Sequence, residues 1–129
     1  MNDSPKYKPF IVLDFDGVIH SYRSGWKGMT SIPDPPADGA FDALRNYSKS
    51  FRVCILSSRS ADPDGMAAMK KWFIDNGWPA DETGNPADLE FPLTKPPALL
   101  TIDDRAFCFQ GRFPSVNEIM NFQPWGKES

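Results

Sequence analysis

Two carboxylates, Asp14 and Asp16, close the apolar run in PFIVLDFDGVIH (9–20), and a second pair, Asp103 and Asp104, closes ALLTIDD (98–104). Burying a carboxylate without a partner is costly, so each pair needs a cation, hydrogen bonds or solvent. Residues i and i+2 of a strand face the same side, so Asp14 and Asp16 are expected to converge on one point. Gly17 follows directly and lets the chain turn or a ligand approach the backbone. Between the two pairs lies FRVCIL (51–56), and it ends in Ser57, Ser58 and Arg59. Three apolar runs thus end in polar groups capable of chemistry.

The elements that must position these groups follow from the pattern. FIVLD, FRVCIL and ALLTI are continuous apolar runs, which suits strands covered on both faces. GAFDALRNYSK (39–49) has helical spacing, with Phe41 and Leu44 on one side. ADPDGMAAMKKWFIDNG (61–77) carries helix punctuation: Asp62 as cap, Pro63 at the first helical position, Gly77 at the stop. Its Met66, Met69 and Phe73 form a core stripe with Trp72 beside it. LEFPL and AFCF read as short strands, and Ser115 with Glu118 makes a capping-box spacing before a last helix bearing Val116, Ile119 and Met120. Strands alternating with helices predict an α/β domain with a mostly parallel central sheet flanked by helices. Ligands of such sheets bind beyond the carboxyl ends of the strands, where all the polar groups above are expected.

Bulk properties narrow the function classes. The 129 residues support one domain over 1–129, and 40% hydrophobic content fits a globular chain. A net charge of −3 disfavours nucleic-acid binding through the field of the whole protein, though not through a local basic patch. The N-terminal MNDSPKYKP lacks a signal-peptide pattern, and no apolar run approaches the ~20 residues of a membrane span. The expectation is a cytoplasmic protein with no membrane partner, in which Cys54 and Cys108 are buried, reduced thiols.

LDFDGV, CILSSR and TKPPALLTIDD, in this order, resemble the motifs of the haloacid dehalogenase superfamily of phosphohydrolases, and they span Leu13 to Asp104. The resemblance implies a three-layer, Rossmann-like fold and hydrolysis of a phosphate monoester through an aspartyl-phosphate. It implies Asp14 as nucleophile and Asp16 as general acid, then general base. Ser57 would hydrogen-bond the transferring phosphoryl group, with Gly17, Ser58 and Arg59 as substrate-binding residues. Mg2+ would be held by Asp14, the backbone carbonyl of Asp16, Asp103 and, directly or through water, Asp104, an oxygen-rich set of the kind that hard cation takes. Four carboxylates and a phosphate dianion sum to about −6 against +2 from the metal, so further cations are needed. Lys95 is the family-type candidate, with Arg59 and Arg105 as helpers and Lys70 or Lys71 as substitutes.

Two features depart from the family. Lys95 is followed by two prolines and stands close to Asp103, so it must reach the site from a loop and not from a helix. There is also no room for a separate cap domain, only a short irregular flap at about 19–38. A capless site favours a nucleotide or a nucleic-acid end as the phosphorylated substrate. In the flap, Tyr22, Arg23, Trp26 and Lys27 form an aromatic-basic cluster that suits either base stacking or pinning the flap to the core. His20 reads as a surface or packing residue more than a substrate contact. Arg59 suits substrate phosphate or a salt bridge to Asp62 or Asp104. Two other functions compete: a catalytically silent phosphate-binding or regulatory module on the same fold, and a metal-dependent nuclease, which needs a further carboxylate such as Asp64 or Asp75.

Overall fold

The computed structural model describes residues 7–125. Four strands, β1 (Phe10–Leu13), β2 (Arg52–Ile55), β3 (Leu89–Glu90) and β4 (Ala98–Ile102), form one sheet in the order β3-β2-β1-β4. Every pairing is parallel. The chain therefore crosses over between strands, and helices α1 (Ala40–Tyr47) and α2 (Pro63–Asp75) make the crossings on either side of β2. This is the expected α/β, Rossmann-like arrangement. A third helix, α3 (Val116–Met120), follows β4.

The local signals act as read. Asp62 caps α2 by accepting the amides of Asp64 and Gly65 at 2.8 and 3.0 Å, with Pro63 at the first helical position. The inner face of α2 buries Met69, Trp72 and Phe73 against Ile11, Leu13, Phe15, Val53 and Ile55. Aromatic rings dominate this core: Phe15 meets Trp72 edge-on at 5.0 Å, and Phe41 stacks on Phe73 at 5.7 Å.

The C-terminal quarter behaves differently from the expectation. AFCF (106–109) forms no strand, and Cys108 is exposed while Cys54 is buried; both thiols are free. Helix α3 has its capping box, with the Ser115 hydroxyl and the Glu118 carboxylate each accepting the other residue's amide, at 3.1 and 2.8 Å. Yet Val116, Ile119 and Met120 face solvent. On β4, Leu99 and Leu100 are also exposed. A continuous apolar run reads as a doubly covered strand, but β4 is the edge strand here and no helix of the described chain packs on it. Among the described residues, no helix is long and apolar enough to cross a membrane.

Candidate functional site

Sheet register brings the acidic pairs together. Leu13 of β1 stands opposite both Ile55 of β2 and Ile102 of β4, so Asp14, Leu56 and Asp103 leave the sheet at one level. The Asp14 amide donates to the Ile102 carbonyl at 2.9 Å, which fixes the first carboxylate beside the second pair. Carboxylate oxygens of Asp14, Asp103 and Asp104 lie within 4.8 Å of one another. Asp103 accepts the Arg105 amide at 2.8 Å, a local turn that holds its carboxylate in place. Gly17 adopts φ +88°, and a Cβ at this position would collide with the Asp104 carboxylate, so only glycine lets the two approach.

This arrangement stores like-charge repulsion. Burial, followed by the Asp103 and Asp104 charges, pushes the Asp14 carboxyl from its ordinary 3.8 up to about 7. The Asp104 Oδ1 atom is buried and has no hydrogen-bond partner among the described residues. An orphaned carboxylate oxygen and two neighbouring carboxylates, set around a glycine cradle, fit a hard divalent cation such as Mg2+.

Asp16 does not join this group, contrary to the expected convergence. The chain leaves the strand after Leu13, so the alternation that would align i and i+2 no longer applies. The Asp16 carboxylate instead receives the Arg59 guanidinium, Nε at 3.1 Å and Nη2 at 3.2 Å, and His20 Nδ1 at 2.8 Å. Asp34's amide donates to His20 Nε2 at 3.2 Å, which makes Nδ1 the protonated ring nitrogen and Asp16 its acceptor. Although burial acts in the opposite sense, the His20 hydrogen bond and the Arg59 hydrogen bond and charge hold Asp16 below the usual carboxylate range. Asp16 is an anion in this arrangement.

Arg59 is wholly buried. Its Nη1 donates to the Gly28 and Met29 carbonyls at 2.9 and 2.6 Å, and Trp26 covers the guanidinium at 4.5 Å. It therefore has no face left for substrate, and its salt bridge goes to Asp16, not to Asp62 or Asp104. The same contacts answer the question of the flap: Trp26 is spent on Arg59, and Trp72 Nε1 holds the Asp34 carbonyl at 2.9 Å. The lone histidine is buried and holds the Asp16 carboxylate through Nδ1.

Ser57 directly follows β2 and Leu56, and caps the 3-10 helix Ser58–Ala61. Its Oγ accepts the Arg59 amide at 3.0 Å, which leaves the hydroxyl proton available to an incoming anion. Ser58 is exposed at the start of that helix. Lys95 is exposed on its loop and makes no ion pair or hydrogen bond among the described residues. The helical substitutes are occupied: Lys71 pairs with Asp75 at 2.5 Å, and Lys70 lies over the Phe91 ring at 5.5 Å.

A cavity of about 340 Å3 lies beside the acidic cluster, with Gly17, Asp104, Tyr22, Arg23, Arg105 and Trp125 in its wall. Trp125 closes one side by donating Nε1 to the Gly17 carbonyl at 3.1 Å. Its distance in sequence from the motif, 108 residues, left no local signal for this contact. A scan against protein-family models finds no match for the chain, and searches of curated proteins and of solved structures find none either.

Proposed function

We propose that the chain is a Mg2+-dependent phosphomonoesterase of the haloacid dehalogenase type, working through an aspartyl-phosphate. The observation that carries this reading is the meeting of Asp14, Asp103 and Asp104 at adjacent strand ends, with the Ser57 hydroxyl following the neighbouring strand. Asp14, Asp103 and Asp104 would hold the cation, which would offset charge on the phosphate and on the attacking carboxylate.

An Asp14 oxygen attacks phosphorus as the bond to the leaving alcohol breaks. Ser57 donates to a phosphoryl oxygen. Water then attacks the aspartyl-phosphate, the bond from phosphorus to Asp14 breaks, and Asp16 takes the water's proton. Asp16 is already the anion that this second half needs. In the first half it must carry a proton for the departing oxygen, or the leaving group must depart without one. We place the enzyme in the cytoplasm, where its free Cys54 and Cys108 stay reduced.

Hydrolysis of an aryl phosphate, assayed with Mg2+ or EDTA and with Asp14→Asn beside the wild type, tests the proposal. Metal-dependent turnover that disappears in the variant supports it; turnover that persists in purified Asp14→Asn removes Asp14 as nucleophile. Two observations favour a second reading, a phosphate-binding module without turnover: Asp16 is clamped by Arg59, and Lys95 is exposed with no ion pair among the described residues. That reading predicts phosphate binding with no hydrolysis in the same assay. The nuclease reading loses support, because the one metal-competent group among the described residues has three carboxylates and none from α2.

A further inference from the structure

The chain after β4 stands outside the core. The cluster that α1 and α2 make with the sheet includes no side chain beyond Ile102. Helix α3 packs on no other helix or strand among the described residues. Yet Val116, Ile119 and Met120 recur at i, i+3 and i+4, the spacing of a buried helix face, and they are 77%, 60% and 78% exposed. Five residues are too few to hold a helix in water by propensity alone. Glu118 is already engaged by Arg112 and by the Ser115 amide, so covering the apolar face strands no carboxylate.

Strand β4 is open in a matching way. It is an edge strand, and its outer backbone groups have no partner among the described residues. From Pro96 to Ile102 the chain carries no charge. Exposed edges are ordinarily blunted by lysine, proline or a bulge. The register with β1 does shift by one residue between Ala98 and Thr101, but Leu99 and Leu100 are exposed where a charge would guard the edge. With Phe113, these leucines and the α3 face leave about 700 Å2 of apolar surface in water, close to the ~800 Å2 per partner that a stable interface buries. An unpaired edge is its own complement, because a second copy turned about a two-fold axis brings the same donors and acceptors antiparallel to the first. The surface also lacks the charge that would select a different, oppositely charged partner.

We propose that β4 and α3 form a two-fold interface with a second copy of this chain. The two β4 edges pair antiparallel into one continuous sheet, and each α3 packs its Val116, Ile119 and Met120 face across the junction. The interface is independent of the phosphatase reading, and its test needs no turnover. Sedimentation equilibrium of the full chain should give a dimer at tens of micromolar, since interfaces of this size hold at about micromolar concentration or below. Leu99→Lys with Leu100→Lys, and Val116→Glu with Met120→Glu, should each weaken the dimer about 30-fold or more. Ala67→Glu, on the exposed side of α2, should leave it intact. Hydrogen exchange gives a second readout, because α3 does not pack on β4 within one copy. Amides of residues 99–101 should be protected in the wild type and lose protection both on dilution and in the α3 double variant. A wild-type monomer at tens of micromolar, or open-ended association in place of a closed dimer, would overturn the interface. So would a dimer that survives either double substitution or falls to Ala67→Glu, and so would β4 amides that exchange alike at every dilution.

Discussion

Replacing Asp104 with asparagine probes the acidic cluster without relying on turnover. Asn keeps the shape of the side chain beside Gly17 and removes one of three charges whose oxygens lie within 4.8 Å. Each carboxylate pair at this separation repels by about 3.5 kcal/mol at an effective dielectric constant of 20. Asp103 is exposed and Asp14 is half-buried, so solvent screening reduces the net gain to about 1–2 kcal/mol. In EDTA at pH 8, Asp104→Asn should therefore melt roughly 4–8 °C above the wild type.

The sign of the pH dependence follows from Asp14. Its carboxyl titrates near 7 when folded and near 3.8 when unfolded, so its contribution to stability is full below 3.8 and is lost as pH rises through 7. The wild type should thus recover most of the gap at pH 5, where Asp14 is largely protonated and the repulsion is smaller. Millimolar Mg2+ should reverse the order at pH 8, because only the intact cluster gains stability by binding the ion. Thermal unfolding followed by circular dichroism reads all three conditions. A variant that melts below the wild type in EDTA, or a gap of equal size at pH 5 and pH 8, would refute the repulsion argument.

Aryl phosphates should be hydrolysed about 100-fold faster than alkyl phosphates at pH 8, because an anionic Asp16 gives no proton to a poor leaving group. That ratio should shrink toward pH 5, and a flat kcat/KM ratio across the range would exclude Asp16 as the acid. Lys95→Ala should change kcat/KM by less than about twofold, since the side chain is exposed and unpaired among the described residues; a larger loss would mean the loop reaches the site in the complex. Arg59→Ala should cost about 3–5 kcal/mol in urea unfolding by stranding Asp16 and two carbonyls, and Arg59→Lys should recover little of it, lacking the fork.

Strand ends were the most legible part of the sequence. FIVL, RVCI and ALLTI are strands, and their parallel register alone delivers Asp14, Asp103 and Asp104 to one place. Asp62, Pro63 and Ser115 announced helix starts through chemistry local to a few residues. What escaped depends on distant partners or on the exact point where regular structure ends. The alignment of Asp16 with Asp14 failed because the strand stops one residue before the first carboxylate. Arg59 was identified as ionic, yet its partner lies 43 positions away and is invisible to local pattern. Apolar continuity in ALLTI could not distinguish a covered strand from an exposed edge, and nothing local marked Trp125 as a wall of the cavity.

The two carboxylates of LDFDGV divide their tasks, and this division explains why the flap can be short. Asp14 faces the cluster, while Asp16 anchors Arg59, which holds the Gly28 and Met29 carbonyls and carries Trp26 on its face. His20 ties the same carboxylate to Asp34 at the far end of the flap. Both ends of the segment that contains Tyr22 and Arg23 are thus fixed by one buried charge network. A wall held in this way meets its ligand with little ordering left to do, which favours affinity without a separate closing domain. The same network ties protonation of Asp16 to the flap, since a neutral Asp16 gives up much of its hold on Arg59. Loss of flap protection in hydrogen exchange on Asp16→Asn, with the acidic cluster unchanged, is the expected outcome; unchanged protection of residues 22–34 would show that the flap is held by packing alone.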